Sequence, residues 1–222
     1  MPEALTPAPL GLFGGTFDPV HNGHLALAAA ARERLGLSAV RWLPAGLPTH
    51  REKPVAASHH RVRMLEYALS GHPGFELETA LAAEDCAAYT LDTLAHVRAM
   101  EGERRPLFWL LGVDAFARFQ TWRRWREVAD QCHLVVFNRP GFSPEDVPAE
   151  LTDFFQTRRT ADIAECSALP GGRLLEIETP ETDISSSAVR ACLRSGKTVR
   201  SLLPGAVVEY IVRHSLYLER EI

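Results

Sequence analysis

The chain has 222 residues, 46% hydrophobic and 23% charged, proportions that exclude a disordered, collagen-like or coiled-coil protein. A chain this long buries roughly 70% of its unfolded surface, enough for a core that needs no staples. With 24 Lys+Arg against 28 Asp+Glu the net charge is −4, which argues against general nucleic-acid or anionic-membrane binding, since both draw on clustered positive charge.

Met1–Pro7 carries no basic, apolar leader pattern, so no signal peptide is expected. No stretch approaches the ~20 apolar residues that span a bilayer. Leu10–Phe13 is a short apolar run ending in Gly14-Gly15, the pattern of a buried strand. His24–Leu35 is alanine-rich and stops at Gly36, as helices do. Ala39–Leu43 reads as a second strand closed by Pro44, and Ser58 is placed to cap a helix running to Leu69. Phe75–Leu77 reads as a third strand and Thr90–Met100 as a helix. Leu107–Leu111 and His133–Phe137 are near-continuous apolar runs separated by helical segments, which argues for strands buried on both faces. Gly141–Ala168 is irregular, with one short helix near Pro144–Phe155; Leu174–Ile177 reads as a last strand. Ser185–Arg194 and Pro204–His214 read as closing helices, the second opening on its proline. The expectation is a single α/β domain over residues 8–218: a Rossmann-like, doubly wound parallel sheet with C-terminal helices.

Cys86, Cys132, Cys166 and Cys192 are far apart and form no C-x-x-C pair, so free thiols in a reducing, cytoplasmic compartment are expected. Arg123, Arg124 and Arg126, like Arg158-Arg159, read as solvated faces. Trp42, Trp109 and Trp125 read as packing residues.

The chemistry concentrates in Gly14-Gly15-Thr16-Phe17-Asp18-Pro19-Val20-His21-Asn22-Gly23-His24, which follows the first strand. In an open parallel sheet ligands bind beyond the carboxyl ends of the strands. Two glycines allow close backbone approach, Thr16 adds a hydroxyl, and His21 and His24 face one point at the mouth of a helix. The helix N-terminus adds unpaired N–H groups and a positive dipole end, so the string favours an anion, above all a phosphate. Half a zinc site and a helix cap with two surface histidines are the competing readings, but no third ligand accompanies the pair and the whole string is more specific than a cap. Near the other end, Ser185 can cap a helix on which Ser186, Ser187 and Arg190 offer hydroxyls and a forked guanidinium to a polyphosphate.

Gly14–His24 resembles the G-G-T/S-F-D-P-x-H-x-G-H signature of the nucleotidyltransferase superfamily, and Ile184–Arg190 resembles its I-S-S-T/S-x-x-R signature. Further segments resemble bacterial nicotinate-nucleotide adenylyltransferases: Pro44–Arg51, Tyr89–Leu94, Gly112-Val113-Asp114 with Trp122, Leu134–Gly141, and the Leu203-Pro204, Tyr210-Ile211 and Leu216-Tyr217 pairs. Thr49 and Ala88 stand where that family has proline and serine. The resemblance implies transfer of the adenylyl group of ATP to nicotinate mononucleotide, giving nicotinate adenine dinucleotide and pyrophosphate in NAD biosynthesis, with Mg²⁺ accompanying ATP. It implies His21 and His24 as catalytic residues, with His24 nearest the α-phosphate. Gly14, Gly15, Thr16, Phe17, Gly112, Asp114, Ser186, Ser187 and Arg190 would bind ATP. His50, Arg51, Tyr89, Thr90 and Trp122 would bind the mononucleotide, Trp122 by stacking on its ring. No protein metal site, nucleic acid or membrane is implied, and a homo-oligomer is allowed. Two alternatives stand beside this reading: a superfamily member such as the pantetheine-phosphate enzyme, and a nucleotide-sensing module without turnover.

Overall fold

A computed structural model describes residues 7–46, 54–80, 82, 89–138, 147–178 and 184–218. The short apolar runs become six strands: β1 (Leu10–Gly15), β2 (Ala39–Pro44), β3 (Phe75–Leu77), β4 (Leu107–Gly112), β5 (His133–Asn138) and β6 (Leu174–Glu178). They form one sheet in the order β3-β2-β1-β4-β5-β6, and every pairing is parallel. Parallel neighbours require crossovers, and helices supply them. These are α1 (Asn22–Arg34), α2 (Ser58–Leu69), α3 (Thr90–Glu101), α4 (Val113–Phe116), α5 (Trp125–Gln131), α6 (Ala149–Phe155) and α7 (Ile163–Ala168); α8 (Ser186–Arg194) and α9 (Gly205–Arg213) close the chain.

Side chains alternate across the strands, which is why their sequences read as unbroken apolar runs. Phe108, Leu110, Val135 and Phe137 enter the core beneath α1, α2, α8 and α9, whereas Leu107, Trp109, Leu111, Leu134 and Val136 enter the core beneath α3 to α6. Trp42, Trp109 and Trp125 are buried packing residues, as expected.

The strand order reverses between β1 and β4, and a ligand crevice forms at such a switch point. Here the crevice has a specific origin. The β1–β4 ladder stops at Leu12↔Trp109, whereas β1 stays paired with β2 as far as Gly15↔Pro44. Beyond Leu12 the two central strands part at their carboxyl ends, and the indole of Trp109 enters the gap. A Cβ on Gly14 would lie 2.6 Å from Trp109 Cζ2.

Four sequence readings are corrected. Ser58 is the first residue of α2 rather than its cap: Ala57 holds that place without a side-chain bond, and the Ser58 hydroxyl donates to the Ala82 carbonyl. The proline at the last helix is its N-cap, with α9 beginning at Gly205. α1 opens at Asn22, two residues earlier than expected, because His21 caps it. Among the described residues of Gly141–Ala168 there are two helices, α6 and α7. The second is only six residues long with a single buried side chain, Cys166, so periodicity could not reveal it. Its signal was the cap, since Asp162 accepts from the amides of Ala164 and Glu165. The Pro44–Arg51 loop beyond Gly46, with Cys86, Ala88 and Arg139–Gly141, lies outside the described residues.

Gly14→Ala should destabilise the protein by about 1–3 kcal/mol in urea unfolding, the usual cost of overpacking a core. In a Trp109→Phe background, where the outer ring is gone, the same substitution should cost less. Equal costs in both backgrounds would show that the indole is not what excludes a side chain at position 14.

Candidate active site

The segment after β1 is held rigidly before any ligand is considered. Asp18 is buried, and its carboxylate accepts from the amides of Val55 at 2.8 Å and Ala56 at 3.1 Å and from the Tyr217 hydroxyl at 2.7 Å. Arg61, 1% exposed on α2, donates to the carbonyls of Thr16, Ala45 and Gly46 at 2.7–3.1 Å. It thereby joins the turn after β1 to the turn after β2. Burying a guanidinium is costly unless its donors are met, and here backbone carbonyls meet those on Nη1 and Nη2. Neither Arg61 nor Asp18 was picked out from the sequence. Asp18 lies inside the first signature, but Arg61 sits in an ordinary helical pattern and leaves no local signal.

The two histidines make a reciprocal cap. His21 is the N-cap of α1; its Nδ1 accepts from the amide of His24 at 3.3 Å, and His24 Nδ1 accepts from the amide of His21 at 3.2 Å. The rings stack with centroids 3.6 Å apart. An imidazole that accepts at Nδ1 carries its proton on Nε2, so the cap orients two Nε2–H donors side by side. Gly23 makes this possible, because a Cβ there would stand 3.1 Å from His21 Nδ1 and 3.4 Å from Ile184 Cβ. Burial lowers the His21 pKa to about 4, so His21 is a neutral donor near pH 7.

The second signature docks on the first. Ser185 caps α8 by accepting from the Ala188 amide, and Ser186 Oγ donates to the Pro19 carbonyl at 2.9 Å. Arg190 Nη1 donates to the Asp18 carbonyl at 2.6 Å, and Nη2 donates to Ser187 Oγ at 3.3 Å. The N-termini of α1 and α8, which are separated by some 160 residues of chain, therefore meet at one loop. Both present N–H groups, positive dipole ends and hydroxyl or imidazole donors, a setting for a polyanion. Among the described residues no group of three His, Cys, Asp or Glu side chains could hold a metal ion.

The remaining candidates fall around this centre. The side of Gly14 is filled by Trp109 and that of Gly15 by the Phe17 ring, so both glycines already serve packing. Phe17 itself is buried at φ +49°, edge-on to His24, which leaves its backbone as the part that could meet a ligand. Gly112 faces open space at the end of β4, and Asp114 is exposed in the first turn of α4. Trp122 is half-buried against Phe119 and edge-on to Trp109, which links it to the switch point. Tyr89 caps α3 ahead of Thr90, and the Arg123 guanidinium lies 4.7 Å above its ring. That contact joins the Tyr89–Thr90 corner to the Trp122 segment. His50 and Arg51 lie outside the described residues.

The rest of the basic cluster is neutralised as a solvated surface would be: Arg124 pairs with Glu127, Arg126 with Glu150, Arg158 with Asp130 and Arg159 with Glu176. Cys132, Cys166 and Cys192 are free thiols, and burial pushes the first two up to about 12 and about 11.

The His21 shift has a consequence for stability. Its pKa is lowered from 6.5 to about 4 on folding. Between these values the unfolded chain binds a proton that the folded one does not, so stability rises with pH across this window and is lost as pH falls through it. The contribution is about 3 kcal/mol, present in full above pH 6.5 and gone below pH 4. His21→Asn retains a capping oxygen and removes the titration. Its unfolding free energy, measured between pH 7 and pH 4, should fall less steeply than the parent's by about that amount. Parallel pH profiles would show that His21 titrates normally.

Comparison with known proteins gives the family and the fold. Residues 12–192 match the cytidylyltransferase-like family. A Dechloromonas aromatica protein named as a nicotinate-nucleotide adenylyltransferase is 41% identical over 211 residues, covering 94% of this chain and 97% of that protein. One of the same name from Laribacter hongkongensis is 42% identical over 208 residues, covering 94% of each. The fold is similar to that of the Plasmodium falciparum nicotinic acid mononucleotide adenylyltransferase complexed with NaAD, with a TM-score of 0.71 at 15% identity, over 95% of this chain and 97% of that one. With relatives this similar along nearly its whole length, the chain belongs to the cytidylyltransferase-like family and, within it, to the nicotinate-nucleotide adenylyltransferases.

Proposed function

We propose that the protein joins ATP and nicotinate mononucleotide to give nicotinate adenine dinucleotide and pyrophosphate, a step of NAD biosynthesis. The observation that carries the reading is the meeting of two helix N-termini, one bearing the stacked His21/His24 pair and the other Ser186, Ser187 and Arg190, at the loop after β1. The phosphate of the mononucleotide has a second pKa of about 6 and is largely a dianion at neutral pH. It attacks the α-phosphorus of ATP without a general base, and the bond to the β-phosphate oxygen breaks to release pyrophosphate. The protein's task is alignment and stabilisation of charge on the phosphates.

In this reading the Nε2–H groups of His21 and His24 and the Thr16 hydroxyl serve the α-phosphate, with His24 nearest. Ser186, Ser187 and Arg190 hold the departing phosphates. Gly112 and Asp114 lie at the adenosine end, and Tyr89, Thr90 and Trp122 with His50 and Arg51 serve the mononucleotide. A divalent cation enters with ATP; Mg²⁺, held by phosphate oxygens and water, suits a site whose own donors are N–H and O–H groups. A cytoplasmic location fits the free thiols, and no helix among the described residues is long and apolar enough to cross a membrane.

Pyrophosphate release should require ATP together with a pyridine mononucleotide, and kcat/KM should be higher for the nicotinate than for the nicotinamide form. Equal values would assign dual specificity instead, and no release with either would reject the reading. His24→Ala should lower kcat by about 10²–10³, as loss of one transition-state donor does, while changing ATP affinity only a few-fold. Near-parental turnover in the folded variant would remove His24 from the mechanism.

A further inference from the structure

Tyr217 lies after the last helix, far in sequence from the signatures, yet it is 7% exposed and its hydroxyl donates to Asp18 Oδ1 at 2.7 Å. The turn that delivers it is strained. Ser215 and Tyr217 stand at φ +49° and +61°, a region bulky residues enter only when their surroundings over-determine it. Asp18 thereby accepts three hydrogen bonds: Oδ1 also accepts from Ala56 and Oδ2 from Val55. Arg190 forms a loose ion pair with this carboxylate and hydrogen-bonds the Asp18 backbone instead. Its Nη1 is 3.7 Å from Oδ2, while it donates to the Asp18 backbone carbonyl at 2.6 Å.

We propose that Tyr217 is a positioning residue for the phosphate clamp: by occupying Asp18, its hydroxyl keeps Arg190 from collapsing onto that carboxylate and leaves the guanidinium for bound polyphosphate. The inference rests on the ATP reading above. Without the hydroxyl, the buried carboxylate is short of one donor, and Arg190, 3.7 Å from Oδ2, is a charged donor within reach. A guanidinium captured in a direct charge-assisted pair is lost to the ligand. The Tyr217 phenol remains protonated as a donor, because burial and the neighbouring Asp18 raise its pKa.

The test is a double-mutant cycle read by equilibrium titration with ATP and Mg²⁺ in the absence of mononucleotide. Tyr217→Phe removes one oxygen and keeps the ring. It should weaken ATP binding about 5- to 10-fold in the parent but less than 2-fold in an Arg190→Ala background, because the two residues act through one another. KM for nicotinate mononucleotide should stay within about 2-fold of the parent, as expected of a residue that acts only through Arg190. Equal weakening in both backgrounds would show that Tyr217 acts through general packing and would overturn the inference, as would unchanged ATP binding in Tyr217→Phe. A parent protein that does not bind ATP would reject the function reading and this inference with it.

Discussion

A carboxylate buried in a protein must find donors for its oxygens or lose more in desolvation than its contacts return. Asp18 finds three donors on two separate stretches of chain: the amides of Val55 and Ala56 ahead of α2, and the Tyr217 hydroxyl after the last helix. Its own carbonyl receives Arg190 from α8. Satisfying this one residue therefore requires the loop after β1, the entry to α2, the second signature and the C-terminal turn to be in place together. The candidate site is built on that requirement, since the same loop ends in the His21 cap.

The electrostatics of the site follow a single pattern, in which fixed donors replace mobile charge. Arg61 spends its charge on three backbone carbonyls and so stiffens the strand ends. His21 is neutral near pH 7, and its proton is directed by the reciprocal bond to the His24 amide. Helix N-termini add dipoles that cost no reorganisation when charge develops. Such a site suits a reaction whose nucleophile is already an anion and whose leaving group is another, where orientation and charge stabilisation supply most of the barrier reduction.

The crevice itself arises from a mismatch in the sheet. β1 keeps its pairing with β2 to the end but leaves β4 three residues early, and Trp109 fills the opening from one side. Trp122 packs on Trp109, and Arg123 next to it reaches the Tyr89 ring, so the two corners proposed for the pyridine substrate are tied to the same switch point.

What the sequence determined by itself was whatever has a local physical cause. Apolar runs such as Leu107–Leu111 and His133–Phe137 could be placed as doubly buried strands because burial on both faces writes itself into every residue. The eleven residues of Gly14–His24 could be read as a rigid, donor-rich turn that favours an anion, because glycines, paired imidazoles and a helix start act within one turn of chain. Short helices such as α7, held by a cap and one buried cysteine, escaped that reading because they are too brief for a period to emerge. Only the tertiary structure decided what depends on distant partners. It gave Gly14 a reason in Trp109, gave Asp18 its donors from Val55, Ala56 and Tyr217, and made Arg61 a strut between two strand ends. A buried ionised side chain carries no periodic or capping signal of its own. Its meaning lies in which atoms fold around it, and the chain reveals these only when residues nearly two hundred positions apart are brought into contact.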